Sequence, residues 1–337
     1  MKKSVFLGTV AATTLVAGVA AAATLDDVKA RDQLICGVNV GLTGFGAPDA
    51  SGNYQGFDVA ICKAVAAAVL GDPAKVKYVP TTGETRFTAL ASGEVDLLVR
   101  NSTWTYSRDT DLKFDFVGVN YYDGQGFMVS KKLGVKSAKE LSGASVCIQA
   151  GTTTELNLAD YFRANKMEYK AITYDSSDET VKAFEAGRCD MLTSDQSQLY
   201  ALRIKLTDPN SAMVLPEVIS KEPLGPVVRQ GDDEWFNLVR WSLFAQINAE
   251  EAGVTMKNVD DMMKSADPNI RRILGVEGVK GEFLGVDDKW AYNIVKQVGN
   301  YGEMFERNVG QGSALKIARG QNALWNKGGI QYAPPIR

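Results

Sequence analysis

The sequence predicts an α/β protein of two similar lobes, each a mixed, mostly parallel sheet flanked by helices. Three observations carry this. The chain has 337 residues, beyond the ~250 to 300 at which one hydrophobic core stops growing. Short apolar strands alternate with apolar-periodic helices in both halves, the pattern of parallel sheets. Finally, TRFTALASGEVDLLVRN (85–101) is echoed by TVKAFEAGRCDMLTSD (180–195): a helix, a small residue and Gly, then an Asp opening an apolar strand. Setting Gly93 on Gly187 puts Asp96 on Asp190 and Asn101 on Asp195. Each lobe then sends polar residues out of the carboxyl end of a buried strand, where open α/β sheets bind ligands. A chance likeness between two helix-to-strand turns is the competing explanation.

In chain order, Met1-Lys2-Lys3, the apolar run Val5 to Ala20 and the A-x-A site Ala21-Ala22-Ala23 read as a secretory signal peptide over residues 1–23, cut near Ala23. A retained membrane anchor is the alternative. Losing Lys2 and Lys3 takes the formal charge from -3 to -5. A strand at Leu34 to Val38 precedes a Gly-rich loop (Gly41 to Gly56) and a helix from Phe57 to Leu70, stopped by Gly71-Asp72-Pro73. Strand Val76 to Val79, helix Glu84 to Ala91 and strand Val95 to Val99 follow, and Val117 to Val129 reads as extended. The second unit repeats the grammar: strand Ser145 to Gln149, helix from Thr152, strand Ala171 to Tyr174, helix Glu179 to Ala186, strand Cys189 to Thr193. After an extended Val227-Val228, the helix Asp233 to Glu251 has an apolar face with Trp235, Leu238, Val239 and Leu243, expected in the core. Val254 to Arg337 reads as helices joined by Gly turns, ending in a surface tail at Pro334-Pro335.

Composition excludes several chemistries. With 37 Lys plus Arg against 40 Asp plus Glu and no long basic run, no nucleic-acid partner is expected. The chain has no histidine, which removes Ser-His and Cys-His nucleophile pairs and every zinc site that needs imidazole. Its cysteines, Cys36, Cys62, Cys147 and Cys189, form no CxxC pair, and no metal or other cofactor is expected. In an oxidising compartment an even count suggests two disulfides, one in each half, rather than four buried thiols.

Three stretches carry candidate chemistry. In Arg100-Asn101-Ser102-Thr103-Trp104-Thr105-Tyr106-Ser107-Arg108, hydroxyls and an amide lead to an arginine whose planar fork can grip a carboxylate. A solvated loop with Arg108 paired to Asp109 or Asp111 is the bland reading. Gln149-Ala150-Gly151-Thr152-Thr153-Thr154-Glu155 leaves a strand and enters a helix, with capping-box spacing from Thr152 to Glu155 and free N–H groups that suit an anion. A helix start without ligand reads equally well. Asp195, ending the echo strand, could receive an ammonium, which with the anion sites would complete recognition of an α-amino acid. Equally, it could cap the helix Gln196 to Leu202.

The order of STWTxSR, GTTTE and CDxLTSD from about Gln33 onward resembles the periplasmic solute-binding proteins of polar amino acid ABC transporters. GVNVGLTGF, AGTTTELNLADYF and the ending region from NYGEMFERNVG are similar to the branch that binds general L-amino acids or glutamate, glutamine, aspartate and asparagine. The resemblance implies a type II clamshell that closes on an L-amino acid and delivers it to an inner-membrane permease. It implies one lobe from residues 24–120 plus 226–337, a second from 121–225, and hinge strands near 119–129 and 219–228. By motif position Arg108 takes the α-carboxylate, and Thr103, Thr152 and Thr153 add hydrogen bonds. Asn101 and Asp195 lie near the α-amine, and Arg86 reaches a distal carboxylate. Asn39 falls where some relatives carry another arginine. Leu42 and Gly83 stand where others stack aromatic rings on the ligand, so no such sandwich is expected. Glutamate, aspartate, glutamine or asparagine is the expected ligand, in a periplasmic monomer that is not an enzyme. Cys36 on the first strand would meet Cys62 on the first helix, and Cys147 would meet Cys189. The rival is a periplasmic cyclohexadienyl dehydratase, which the same clamshell also resembles.

Overall fold

The computed structural model describes residues 23–278 and 280–337; the expected signal peptide, residues 1–22 of it, lies outside them. Two five-stranded sheets of the same plan form the frame. In the first, Leu34–Asn39 runs parallel to Val76–Thr81 on one side and Leu97–Leu98 on the other. The antiparallel strands Val227–Arg229 and Phe114–Phe116 complete it. In the second, Ser145–Gln149 lies parallel between Lys170–Tyr174 and Met191–Asp195, and Gln125–Ser130 and Ala212–Val214 follow antiparallel. Parallel neighbours need crossover helices, and these are Phe57–Leu70 and Arg86–Ala91 in one lobe, Thr153–Ala164 and Ser177–Glu185 in the other.

The internal echo has a physical cause. Asp96 Oδ2 accepts the Ile35 N–H at 2.8 Å, and Asp190 Oδ2 accepts the Ser145 N–H at 2.7 Å. Each aspartate therefore fixes the start of its lobe's first strand, leaving the strand it opens to end at the cleft. Strand ends shift from the expected ones: Leu97–Leu98 is shorter than Val95 to Val99, and the second echo strand runs Met191–Asp195. The long helix Asp233–Glu251 seals the first lobe with Trp235, Leu238, Val239 and Leu243 buried. The Trp235 ring nitrogen also donates to the Asp96 carbonyl at 3.0 Å.

Both cysteine pairs are bonded, Cys36 to Cys62 with Cα atoms 6.2 Å apart and Cys147 to Cys189 at 5.7 Å. Tyr121–Asp123 and Glu222–Leu224 pair antiparallel as the link between lobes. The chain's end is not a loose tail. Ala333 and Ile336 are buried, and the Pro334 carbonyl accepts from Asn248 Nδ2 at 2.9 Å, because the last residues cover the apolar flank of the long helix. On the way there, Asn322 bonds both backbone groups of Tyr122, at 2.7 and 3.0 Å, and Gln331 reaches the carbonyls of Val119 and Asn120. No helix among the described residues is long and apolar enough to cross a membrane.

Candidate ligand-binding site

The strand ends of the two lobes meet around a small cavity lined by Arg86, Arg100, Asn101 and Thr103 from the first lobe. Gln149, Thr152, Thr153, Thr154, Ser194, Asp195 and Gln198 line it from the second. Its volume of about 20 Å³ is little more than one water molecule requires, so the clamshell is shut. The lobes touch directly: Asn101 Nδ2 donates to Gln198 Oε1 at 3.1 Å and Arg86 to the Gly151 carbonyl at 3.3 Å. Lys205 Nζ bonds both the Gly41 carbonyl and Asp178, at 2.5 and 2.6 Å.

Of the expected residues, Arg86, Asn101, Thr103, Thr152, Thr153 and Asp195 lie on the cavity wall. Asn101 sits at φ 34°, a left-handed turn that asparagine tolerates better than most residues, and its N–H is held by Asp58 at 2.8 Å. Asn39 stands one layer back, donating to Asn101 Oδ1 at 3.0 Å. Arg108 does not line the cavity either; 8% exposed, it donates to the Thr103 carbonyl at 2.8 Å and lies over the Phe87 ring at 4.9 Å. It does not pair with Asp109, which instead accepts from the Trp104 ring nitrogen at 2.6 Å. The capping box expected at Thr152 is absent. The Thr152 hydroxyl bonds the Gln149 carbonyl at 2.7 Å, and Glu155 reaches back to the Gly151 N–H instead. Asp195 precedes its helix without a side-chain cap, which leaves the carboxylate for the cavity. Leu42 is core.

Charge is concentrated here. Burial lowers the pKa of Arg86 well below its ordinary value, with Arg108 and Arg100 adding to the effect, and burial likewise brings Arg100 and Arg108 down to about 10. Asp195 moves the other way: burial, then Asp123 and Glu222, push its carboxyl well up. Among the described residues no ion pair within 4 Å involves Arg86, Arg100, Arg108 or Asp195. Arg86 Nε and Arg100 Nη2 are buried with no hydrogen-bond partner. Such orphaned donors cost about 1–3 kcal/mol each, and both belong to side chains that line the cavity.

Several members were not singled out from sequence. Gln198 lies three residues past Asp195, one helical turn on, so its spacing was a usable signal. Glu222 had none, because its partners Thr103 and Thr153 are 119 and 69 residues away.

Two predictions arise from this geometry. A Cβ at Gly83 would sit 2.4 Å from the Ala150 carbonyl oxygen of the opposite lobe. Gly83→Ala should therefore prop the lobes apart at about 1–3 kcal/mol, weakening ligand binding about 5- to 150-fold while the ligand-free melting temperature holds. Unaltered affinity in calorimetry would mean that closure needs no such approach. Asp58 is buried, accepting from Asn101 N–H at 2.8 Å and Asn120 Nδ2 at 3.4 Å, yet burial pushes its pKa up to about 6. The folded state thus binds this proton more tightly than the unfolded one, a contribution present below about pH 4 and lost as pH rises through 6. Denaturant titrations should show wild type falling relative to Asp58→Asn between pH 4 and 7, by on the order of 2 kcal/mol. A flat difference would contradict the raised value.

Comparison with known proteins gives concordant results. The model of bacterial extracellular solute-binding proteins, family 3, matches residues 34–254. The general L-amino acid-binding periplasmic protein AapJ of Rhizobium johnstonii is 60% identical, with 100% of each chain covered. The glutamate/glutamine/aspartate/asparagine-binding protein BztA of Rhodobacter capsulatus is 61% identical over the same full coverage. A solved periplasmic binding protein from Brucella ovis with glutathione bound superposes at TM-score 0.92 with 58% identity, covering 94% of this chain and 100% of that one.

Proposed function

Because the chain belongs to family 3 of the bacterial extracellular solute-binding proteins, we propose that it captures L-amino acids, with glutamate, aspartate, glutamine and asparagine preferred, and hands them to an ABC permease. The observation that carries this is the charge layout. Buried guanidiniums with unpartnered N–H groups stand on one lobe and the buried Asp195 carboxylate on the other, which is the complement of a zwitterion. In this reading Arg108, held at the Thr103 carbonyl beside the cavity, takes the α-carboxylate together with the hydroxyls of Thr103, Thr152 and Thr153, Asp195 and Asn101 take the α-ammonium, and Arg86 the distal polar group. Asn39 acts through Asn101. Ligand contacts with both lobes exist only when they shut, so ligand shifts an open-to-closed equilibrium. Residues 24–120 with 226–337 move against 121–225, and the mature protein begins near Thr24 and works as a periplasmic monomer. Relatives about 60% identical over their whole length are binding proteins, which favours transport over dehydration.

A second reading rests on the glutathione held by the Brucella ovis protein. The γ-glutamyl head of that peptide carries the same α-carboxylate and α-ammonium. A thermal-shift screen of the twenty amino acids and glutathione separates the two, since a ligand at a thousand times its dissociation constant adds about 4 kcal/mol to the folded state. A shift with glutathione alone would replace amino acids with γ-glutamyl peptides. No shift with any would overturn the proposal.

A further inference from the structure

Glu222 lies on the linking strand Glu222–Leu224 and is 1% exposed. Its Oε2 accepts from Thr103 at 2.5 Å and Thr153 at 2.9 Å, and its Oε1 from Asn157 and Ser220, both at 2.6 Å. Two of these donors, Thr103 and Thr153, are cavity-wall hydroxyls from opposite lobes. No lysine or arginine pairs with Glu222 within 4 Å among the described residues, and the attraction it exerts on Arg108 exceeds that of Asp195.

We infer that Glu222 is a resident competitor for the groups that would hold the ligand's α-carboxylate, and so a specificity-determining residue of the site. The inference rests on the amino acid reading above. A threonine hydroxyl has one proton to donate. With both protons given to Glu222, Thr103 and Thr153 turn lone pairs toward an incoming carboxylate, and Arg108 already feels a negative charge. The ligand must draw those hydroxyls away from Glu222 before they can serve it. This lowers affinity for every α-carboxylate, whatever its side chain, and narrows the advantage of a carboxylate over a neutral carboxamide at that position.

The test is isothermal calorimetry with the best amino acid from the thermal screen and its α-carboxamide, which for glutamate is isoglutamine. Glu222→Gln should bind the amino acid about tenfold more tightly and leave the carboxamide unchanged. A merely structural role would move both ligands together. Equal or weaker amino acid binding by Glu222→Gln, or an equal gain for both ligands, overturns the proposal. Should Glu222→Gln fail to fold, the double variant Ser220→Ala/Asn157→Ala removes the donors to the carboxylate's other oxygen without touching Thr103 or Thr153. Left with Thr103 and Thr153 as its remaining donors, the carboxylate should hold them harder, weakening the amino acid about threefold and leaving the carboxamide unchanged, and unaltered or tighter amino acid binding is equally fatal. Wild-type protein that binds no amino acid removes the functional reading and this inference together. Normal wild-type binding without these changes in the variants removes only the competitor.

Discussion

Arg108→Ala should lose amino acid binding by two to three orders of magnitude or more while its far-UV circular dichroism stays native. The side chain is 8% exposed, placed over the Phe87 ring and tied to the Thr103 carbonyl, so its direction is fixed before any ligand arrives. A carboxylate drawn into this closed site has little water to fall back on. Removing the cation partner of a buried carboxylate costs about 3–5 kcal/mol, which gives the expected decades. The fold should survive, because the lost bond to Thr103 is worth only about 1 kcal/mol and relief from the neighbouring Arg86 charge offsets part of it. Near-normal affinity would remove Arg108 from recognition and leave Arg86 and Arg100, which line the cavity themselves, as the anion partners.

The second large effect is on stability. Replacing Cys147 and Cys189 with serine opens a loop set by 42 residues of sequence separation, against 26 for Cys36 and Cys62. Loop entropy gives about 4 and 3.5 kcal/mol respectively. Both pairs are buried in their lobes' cores, so serine adds the cost of an inward-facing hydroxyl. Calorimetry should show the Cys147→Ser/Cys189→Ser transition lowered by on the order of 10 °C and broadened, because the second lobe would melt ahead of the first. A loss below 1 kcal/mol would show that chain entropy is not what these bridges contribute.

How much was legible follows from the range of each interaction. The helices Phe57–Leu70 and Asp233–Glu251 fell within the expected bounds because apolar period and Gly or Asp stops are local signals. Wall residues within motifs, such as Asn101, Thr153 and Asp195, could be named because they follow buried strands directly. The capping box could not be judged from spacing, since the Thr152 hydroxyl had a nearer acceptor in the Gln149 carbonyl. Arg108 read as a wall residue but is not among the cavity-lining side chains, because the helical turn Ser107–Asp111 that carries it ties its guanidinium to the Thr103 carbonyl. Glu222 and the buried tail at Ile336 were invisible for one reason: each is defined by contacts with segments far away in sequence.

The final segment's grip on the long helix has a practical side. With Ala333 and Ile336 buried and the Pro334 carbonyl held by Asn248, the exposed terminus at Arg337 is carried by the same body as the long helix. A fluorophore there and another on exposed Lys166, across the moving gap, would change separation only when the jaws swing. The molecule therefore offers a ready mount for an optical reporter of its own closing, with both dyes on residues outside the cavity lining.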